Sequence, residues 1–204
     1  MTKRKFSVIL GGDGIGKSAT IRCMLKLEKD IDIVHWRQVI TQDLWPYDEN
    51  VDPGKVIDNW SPEYRSLALT TLSNMVYSQG VLTSIKSFVL VDSYYYRFFG
   101  KEKLFAKCSP AFFSEISALP LPFQAIVFYS NPSLAWSRKR GQVDRYEYFS
   151  KSTFSDFCEF QDRVQEQYVQ LLEQQNIPIT WLNPEDSIKY NAKKIIQFIK
   201  KEEG

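Results

Sequence analysis

Five short apolar runs recur along the chain: FSVIL from Phe6, IDIVHW from Ile31, SFVLVD from Ser87, QAIVFY from Gln124 and IPITWL from Ile177, each separated from the next by a segment long enough for a helix. Runs this short, rich in Val, Ile and aromatics, suit strands that are buried on both faces. Strands that alternate with helices pair in parallel, because the helices serve as the crossovers. The expectation is therefore an α/β fold in three layers, with a five-stranded parallel sheet flanked by helices. Across 204 residues, 44% hydrophobic content supplies one sizeable core, and no repeat, low-complexity tract or Pro/Gly/Ser linker divides the chain. A single domain over 1–204 follows.

The helices are also legible. From Thr153 to Gln175 the residues Phe157, Phe160, Val164, Tyr168 and Leu171 recur at steps of three and four, which predicts one long packed helix. Others are predicted from about Ser61 to Ser78 and from about Ser187 to Lys201. The segment SATIRCMLKL predicts a helix directly after the first strand.

Between that strand and that helix lies LGGDGIGKSAT, in which Gly11, Gly16, Lys17 and Ser18 satisfy G-x-x-x-x-G-K-[ST]. Each residue type has a job in such a phosphate loop. Glycines let the backbone turn its N–H groups toward an anion, the lysine bridges the terminal phosphates, and the hydroxyl ligates magnesium. The helix start adds its positive dipole end. ATP and Mg2+ are the implied ligands. A second metal anchor is expected at the end of a neighbouring strand, and SFVLVD ends in Asp92, which joins Ser18 as a candidate metal ligand. The chain has neither the N-K-x-D segment that reads guanine nor a D-x-x-G switch after Asp92, and its length disfavours the large motor and transporter ATPases. A compact kinase remains.

Other classes are disfavoured by composition. The 26 basic and 24 acidic residues leave a net charge of +2, which implies no general attraction to nucleic acid or to membranes. Cys23, Cys108 and Cys158 are widely spaced and His35 is the single histidine, so neither a zinc site nor a disulfide framework is indicated, and a reduced, cytoplasmic protein is expected. The apolar run after the basic start MTKRK is too short for a secretory core or a membrane span.

After the fourth strand comes NPSLAWSRKRGQVDRYEYF, with Arg138, Lys139, Arg140 and Arg145 inside eight residues. Arginines that close over a moving phosphoryl group stabilise its charge and exclude water, although basic residues also gather at ordinary helix ends. The cluster marks either a basic lid over about 136–148 or such a helix end.

Taken together these segments resemble the thymidylate kinases. GGDGIGKSA is similar to that family's loop, VFYSNPSLAWSRKRG to its strand, Pro turn and basic lid helix, VDRYE and FQDRVQEQYVQLL to the segment and helix after the lid, and WLNPEDSIKYNAKKI to its closing strand and the loop beside adenine. The resemblance implies a P-loop kinase fold with a short basic lid, and transfer of the ATP γ-phosphate to a nucleoside monophosphate by a homodimer. Gly11, Asp13, Gly14, Ile15, Gly16, Lys17, Ser18, Ala19, Arg138 and Asn183 would surround ATP. Lys17, Arg138 and Arg140 would stabilise the transferring phosphoryl, since Gly14 stands where some members carry a loop arginine. Asp13 would also hold the acceptor's sugar hydroxyl. Arg37 in HWRQV, together with Asn74, Tyr94, Arg97, Arg145 and Tyr146, would complete the acceptor site.

The chain departs from the family's pattern at two places. Asp92-Ser93-Tyr94 stands where Asp-Arg-Tyr is common, leaving Arg97 as the substitute cation. The helix RSLALTTLSNMVY places Thr70 and Asn74 where a stacking phenylalanine and a base-reading arginine are usual. Thymine specificity thus does not carry over, and the expected acceptor is a nucleoside monophosphate, dTMP or another, or else a nucleoside or another small hydroxyl-bearing metabolite. A nucleotide-binding regulator without turnover is the alternative from outside enzymology.

Overall fold

All five apolar runs are strands, β1 (Ser7–Leu10), β2 (Ile31–His35), β3 (Phe88–Asp92), β4 (Gln124–Phe128) and β5 (Ile179–Leu182), and they form one parallel sheet in the order β2-β3-β1-β4-β5. The register pairs Val8 with Val91 on one side and with Ala125 on the other, Val34 with Val91, and Ile126 with Thr180. This computed structural model describes residues 4–39 and 59–201, and the remainder of the expected 1–204 domain lies outside the described residues.

Strand side chains alternate between two cores, as the pleat requires. Ile9, Leu90, Ile126 and Leu182 enter one, where Ile21 and Met24 of α1 (Lys17–Leu27) meet Ile195 and Ile199 of the C-terminal helix. Val8, Leu10, Val89, Val91, Ala125 and Val127 enter the other. With both faces covered, the three central strands carry the unbroken apolar runs VIL, FVLV and AIVF, while the edge strands β2 and β5 are only partly buried and admit Asp32 and Thr180.

The second face is covered by α3 (Pro62–Met75), α4 (Tyr96–Phe105) and α7 (Phe154–Gln174), and its remaining helices are short: α2 (Trp36–Val39) and α5 (Ala111–Ser117). The chain also forms α6 (Pro132–Lys139) and ends in α8 (Ile188–Lys201). Phe157, Phe160, Val164, Tyr168 and Leu171 are all buried, the face that the three-and-four spacing marks out. Thr153 caps that helix, its Oγ1 accepting from the Asp156 N–H at 3.3 Å, and Ser61 caps α3 by accepting from the Tyr64 N–H at 3.2 Å. After Met75, α3 widens into a π-helical turn, Val76–Val81, so the expected Ser61–Ser78 helix is α-helical over most of its length only. The turn brings Gly80 against β2, where a Cβ would stand 2.2 Å from Val34 Cγ1.

Among the described residues no helix is long and apolar enough to cross a membrane.

Candidate active site

The cavity follows from the topology. β1 and β3 are neighbours, yet the chain leaving β1 enters α1 on one face while the chain leaving β3 enters α4 on the other. Adjacent carboxyl ends that part in this way open a crevice, the usual ligand position in an open parallel sheet. Here it is a cavity of about 500 Å³. The loop after β1 supplies Asp13, Lys17 and Ser18 to its wall. The chain after β3 supplies Asp92, Ser93, Tyr94, Arg97 and Lys101, and His35, Trp36 and Arg37 close the end beside β2. Tyr146 and Glu147 reach in from a 3₁₀ turn, Arg145–Glu147.

The backbone is unusual on both sides of the crevice. Gly14 and Gly16 have φ of 80° and 105°. A Cβ on Gly14 would also meet the Ala135 carbonyl at 2.9 Å, so the loop fits beneath α6 only as glycine. Opposite, Ser93 and Tyr94 are left-handed with φ of 70° and 42°, a cost borne by non-glycine residues where the chain must swing from β3 into α4. The Ser93 N–H donates to the Ile9 carbonyl at 3.0 Å and ties that bend to β1.

Charges in the cavity are arranged in pairs. Lys17, at the first turn of α1, is 9% exposed and its ammonium donates to the Asp92 carboxylate at the end of β3. Burial lowers the lysine's proton affinity against the pull of Asp92. Burial would raise the Asp92 carboxyl, but Lys17 and the Ser93 hydroxyl, which donates at 2.8 Å, hold it below its ordinary value. Asp13 accepts from the Arg97 guanidinium, with Lys101 Nζ at 3.6 Å. Burial opposes ionisation of Asp13, and these two cations overcome it, holding the carboxyl far below the usual range.

A third pair involves the turn. Glu147 is bonded to Lys139 at 2.8 Å and accepts from the Asp144 N–H at 3.1 Å, which closes a capping box. Burial and the nearby Asp13 charge push its carboxyl up to about 7. Gln161 on α7 couples this turn to the glycine loop: its Nε2 donates to the Glu147 carbonyl at 3.1 Å, and its Oε1 accepts from the Asp13 N–H at 3.4 Å. Behind Tyr146 lies a buried cluster. Arg65 donates to both oxygens of Glu102 at 2.8 and 2.6 Å, and the Tyr146 hydroxyl donates to Glu102 Oε1.

Five of the seven acceptor candidates, Asp13, Arg37, Tyr94, Arg97 and Tyr146, line the cavity, as do both metal candidates, Ser18 and Asp92, and Lys17. Asn74, Arg138, Arg140, Arg145 and Asn183 are not among its described lining residues. Asn74 is exposed on α3. Arg145 turns back on its own segment, donating to the Tyr148 and Phe149 carbonyls at 3.2 and 3.1 Å. Arg138 spans two loops, donating to the Ile15 carbonyl at 2.6 Å and to the Pro184 carbonyl at 3.3 Å. Arg140 is exposed and left-handed at the end of α6. The Asn183 side chain accepts from the Glu185 N–H at 3.0 Å in the turn after β5. Around the loop itself, Gly11 and Ile15 are buried under Phe128, and Ala19 is half-buried on α1.

No protein-family model matches the chain, and no curated protein sequence matches it.

Lys101 and Glu147 are among the cavity residues that the sequence motifs do not single out. Lys101 follows Arg97 by four positions and so shares its face of α4, a signal readable from RFFGK. Glu147 ends the quoted VDRYE, but nothing in that string says that its carboxylate is turned inward.

Proposed function

We propose that the chain is an ATP-dependent kinase of thymidylate-kinase-like P-loop architecture, acting on a nucleoside monophosphate, without the family's selectivity for thymine. The observation that carries this proposal is the convergence of Lys17, Ser18 and Asp92 on one cavity that Asp13, Arg97 and Tyr146 also line. A donor-type constellation and a separate polar subsite share one crevice, as transfer between two bound molecules requires.

In this proposal the backbone N–H groups at the start of α1 receive the donor phosphates. Lys17 exchanges Asp92 for the β- and γ-phosphates. Ser18 and Asp92 both line the cavity and offer oxygen ligands, a set that fits Mg2+, which takes few protein ligands and completes its shell with phosphate and water. Bound there, Mg2+ would neutralise charge on the transferring group. An acceptor phosphate oxygen attacks the γ-phosphorus, the bond to the β–γ bridging oxygen breaks, and ADP leaves with that oxygen's electron pair. Arg138 and Arg140, at the end of the helix lying over the loop, are assigned to the charge of the transition state. The loss of thymine selectivity is supported by Asn74, which aligns with the family's base-reading arginine but is exposed.

The test is ADP release over a panel of nucleosides, nucleoside monophosphates and unrelated hydroxyl compounds, with Mg2+ and ATP. Acceptor-dependent ADP release supports the proposal. ATP binding with no transfer to any acceptor supports a regulator instead.

A further inference from the structure

Lys101 belongs to none of the donor chemistry, yet it is 7% exposed and lines the cavity. Buried ammonium groups are costly unless a carboxylate and hydrogen bonds compensate them. Four other buried or half-buried cations have a carboxylate in direct contact: Lys17 has Asp92, Arg65 has Glu102, Arg97 has Asp13 and Lys139 has Glu147. The nearest carboxylate to Lys101 is Asp13, at 3.6 Å and already bonded to Arg97. Its hydrogen bond goes to a neutral group, the Tyr146 carbonyl at 2.7 Å, and its charge also rests 4.4 Å from the Tyr146 ring. Three N–H groups thus have one short acceptor. Burial lowers the proton affinity of Lys101 against the pull of Asp13, the sign of a charge that its surroundings do not fully balance.

Arg97 lines the same cavity with its side chain 14% exposed, while its Nε and the Tyr94 Oη are buried without a hydrogen-bond partner. Arg97 and Lys101 share one face of α4, and Tyr94 stands just before its first turn. Asp13 offsets one of the two positive charges, and Glu147, the other carboxylate acting on Lys101, is itself bonded to Lys139. A guanidinium and an ammonium can only donate, so the group that satisfies them together must accept, and a negative charge gives the stronger hydrogen bonds. Tyr146, held from behind by Glu102 and Arg65, fixes the carbonyl that aims Lys101.

We infer that Lys101, with Arg97, forms an anion subsite apart from Lys17, and that the acceptor carries an anionic group, a phosphate or carboxylate, besides the phosphate that is phosphorylated. This rests on the kinase proposal for the word acceptor alone. The subsite itself is a matter of ligand binding.

The experiment measures affinity by calorimetry, without ATP, for nucleoside 5′-monophosphates of the four common bases and for the matching 3′,5′-bisphosphates. For at least one base the wild type should prefer the bisphosphate by roughly tenfold, the scale of one added charge-assisted contact. Lys101→Met should erase that preference and Lys101→Arg should retain it, with thermal melting confirming that both variants fold. Equal or weaker binding of every bisphosphate overturns the inference, as does no binding by either series or a preference that survives Lys101→Met. If Lys101→Met fails to fold, the wild-type preference and its retention in Lys101→Arg decide the matter. ATP affinity and ADP release are measured on the same wild-type sample. If both are absent while the Lys101-dependent preference persists, the kinase proposal falls and the subsite stands; if both are present without the preference, the subsite falls alone.

Discussion

Glu102 is the residue whose loss should do most damage for the least change in volume. Its side chain is 0% exposed and that of Arg65 is 1% exposed, and the pair makes two hydrogen bonds at 2.8 and 2.6 Å. Glu102 also accepts from the Tyr146 hydroxyl and from Cys108 Sγ at 3.3 Å. Glu102→Leu removes all of these acceptors and leaves the guanidinium without the carboxylate that neutralises it. Breaking a buried pair from one side costs about 3–5 kcal/mol, because the surviving charge keeps its full desolvation penalty. A domain of this size is stable by roughly 5–15 kcal/mol, so the variant should melt about 10 °C lower or more.

Urea denaturation of four proteins measures this: wild type, Glu102→Leu, Arg65→Met and the double variant. Each single change should cost about 3 kcal/mol or more, and the double variant should cost less than the sum of the two, since no unpaired charge is left. It should still be less stable than wild type, as the Tyr146 hydroxyl loses its acceptor at about 1–3 kcal/mol. Single-variant losses below about 1 kcal/mol, or strictly additive losses, would refute a desolvated, mutually dependent pair.

Three further outcomes are expected. Gly14→Ala should cost about 1–2 kcal/mol for its left-handed backbone alone and should weaken ATP binding by displacing the loop from α6, read by denaturation and by nucleotide titration. Stability should fall at both ends of the pH scale: Asp13 and Asp92 have depressed folded values, so their contribution is present above about pH 4 and is lost as pH falls below it. Glu147 has a raised one, so its contribution is complete below the ordinary glutamate range and is lost as pH rises through about 7. Glu147→Gln should flatten stability between pH 5 and 8, at about the span set by those two values, in denaturation curves taken across that range. Arg140→Ala should lower turnover much more than ATP affinity, and equal losses in both would remove its transition-state role.

The parts of this molecule written in contiguous residues are the parts that the sequence discloses. Strand cores need apolar runs, and FVLV or AIVF can hardly serve otherwise in a chain of this kind. The loop is a local device, its geometry set by Gly14 and Gly16 and its charge by Lys17, so one short string reports it. Partners distant in the chain leave no such trace. Nothing in YRSLAL around Arg65 points to Glu102, which lies 37 positions away, and their pairing depends on how α3 settles against α4. Helix rotation hides Asn74 for a similar reason: Leu72 faces the cavity, and two positions further along an α-helix the side chain points to the opposite side. Arg145 fails to reach the cavity because its own turn offers two carbonyls first.

The most direct test of phosphoryl transfer is ADP formation by wild type and Lys17→Met, with Mg2+ and ATP, over the acceptor panel that includes bisphosphates. Acceptor-dependent turnover in the wild type, lowered at least about 100-fold in Lys17→Met, is the expected result, since the lysine serves the transferring phosphoryl. No ADP with any acceptor, or the same rate in both proteins, would contradict it.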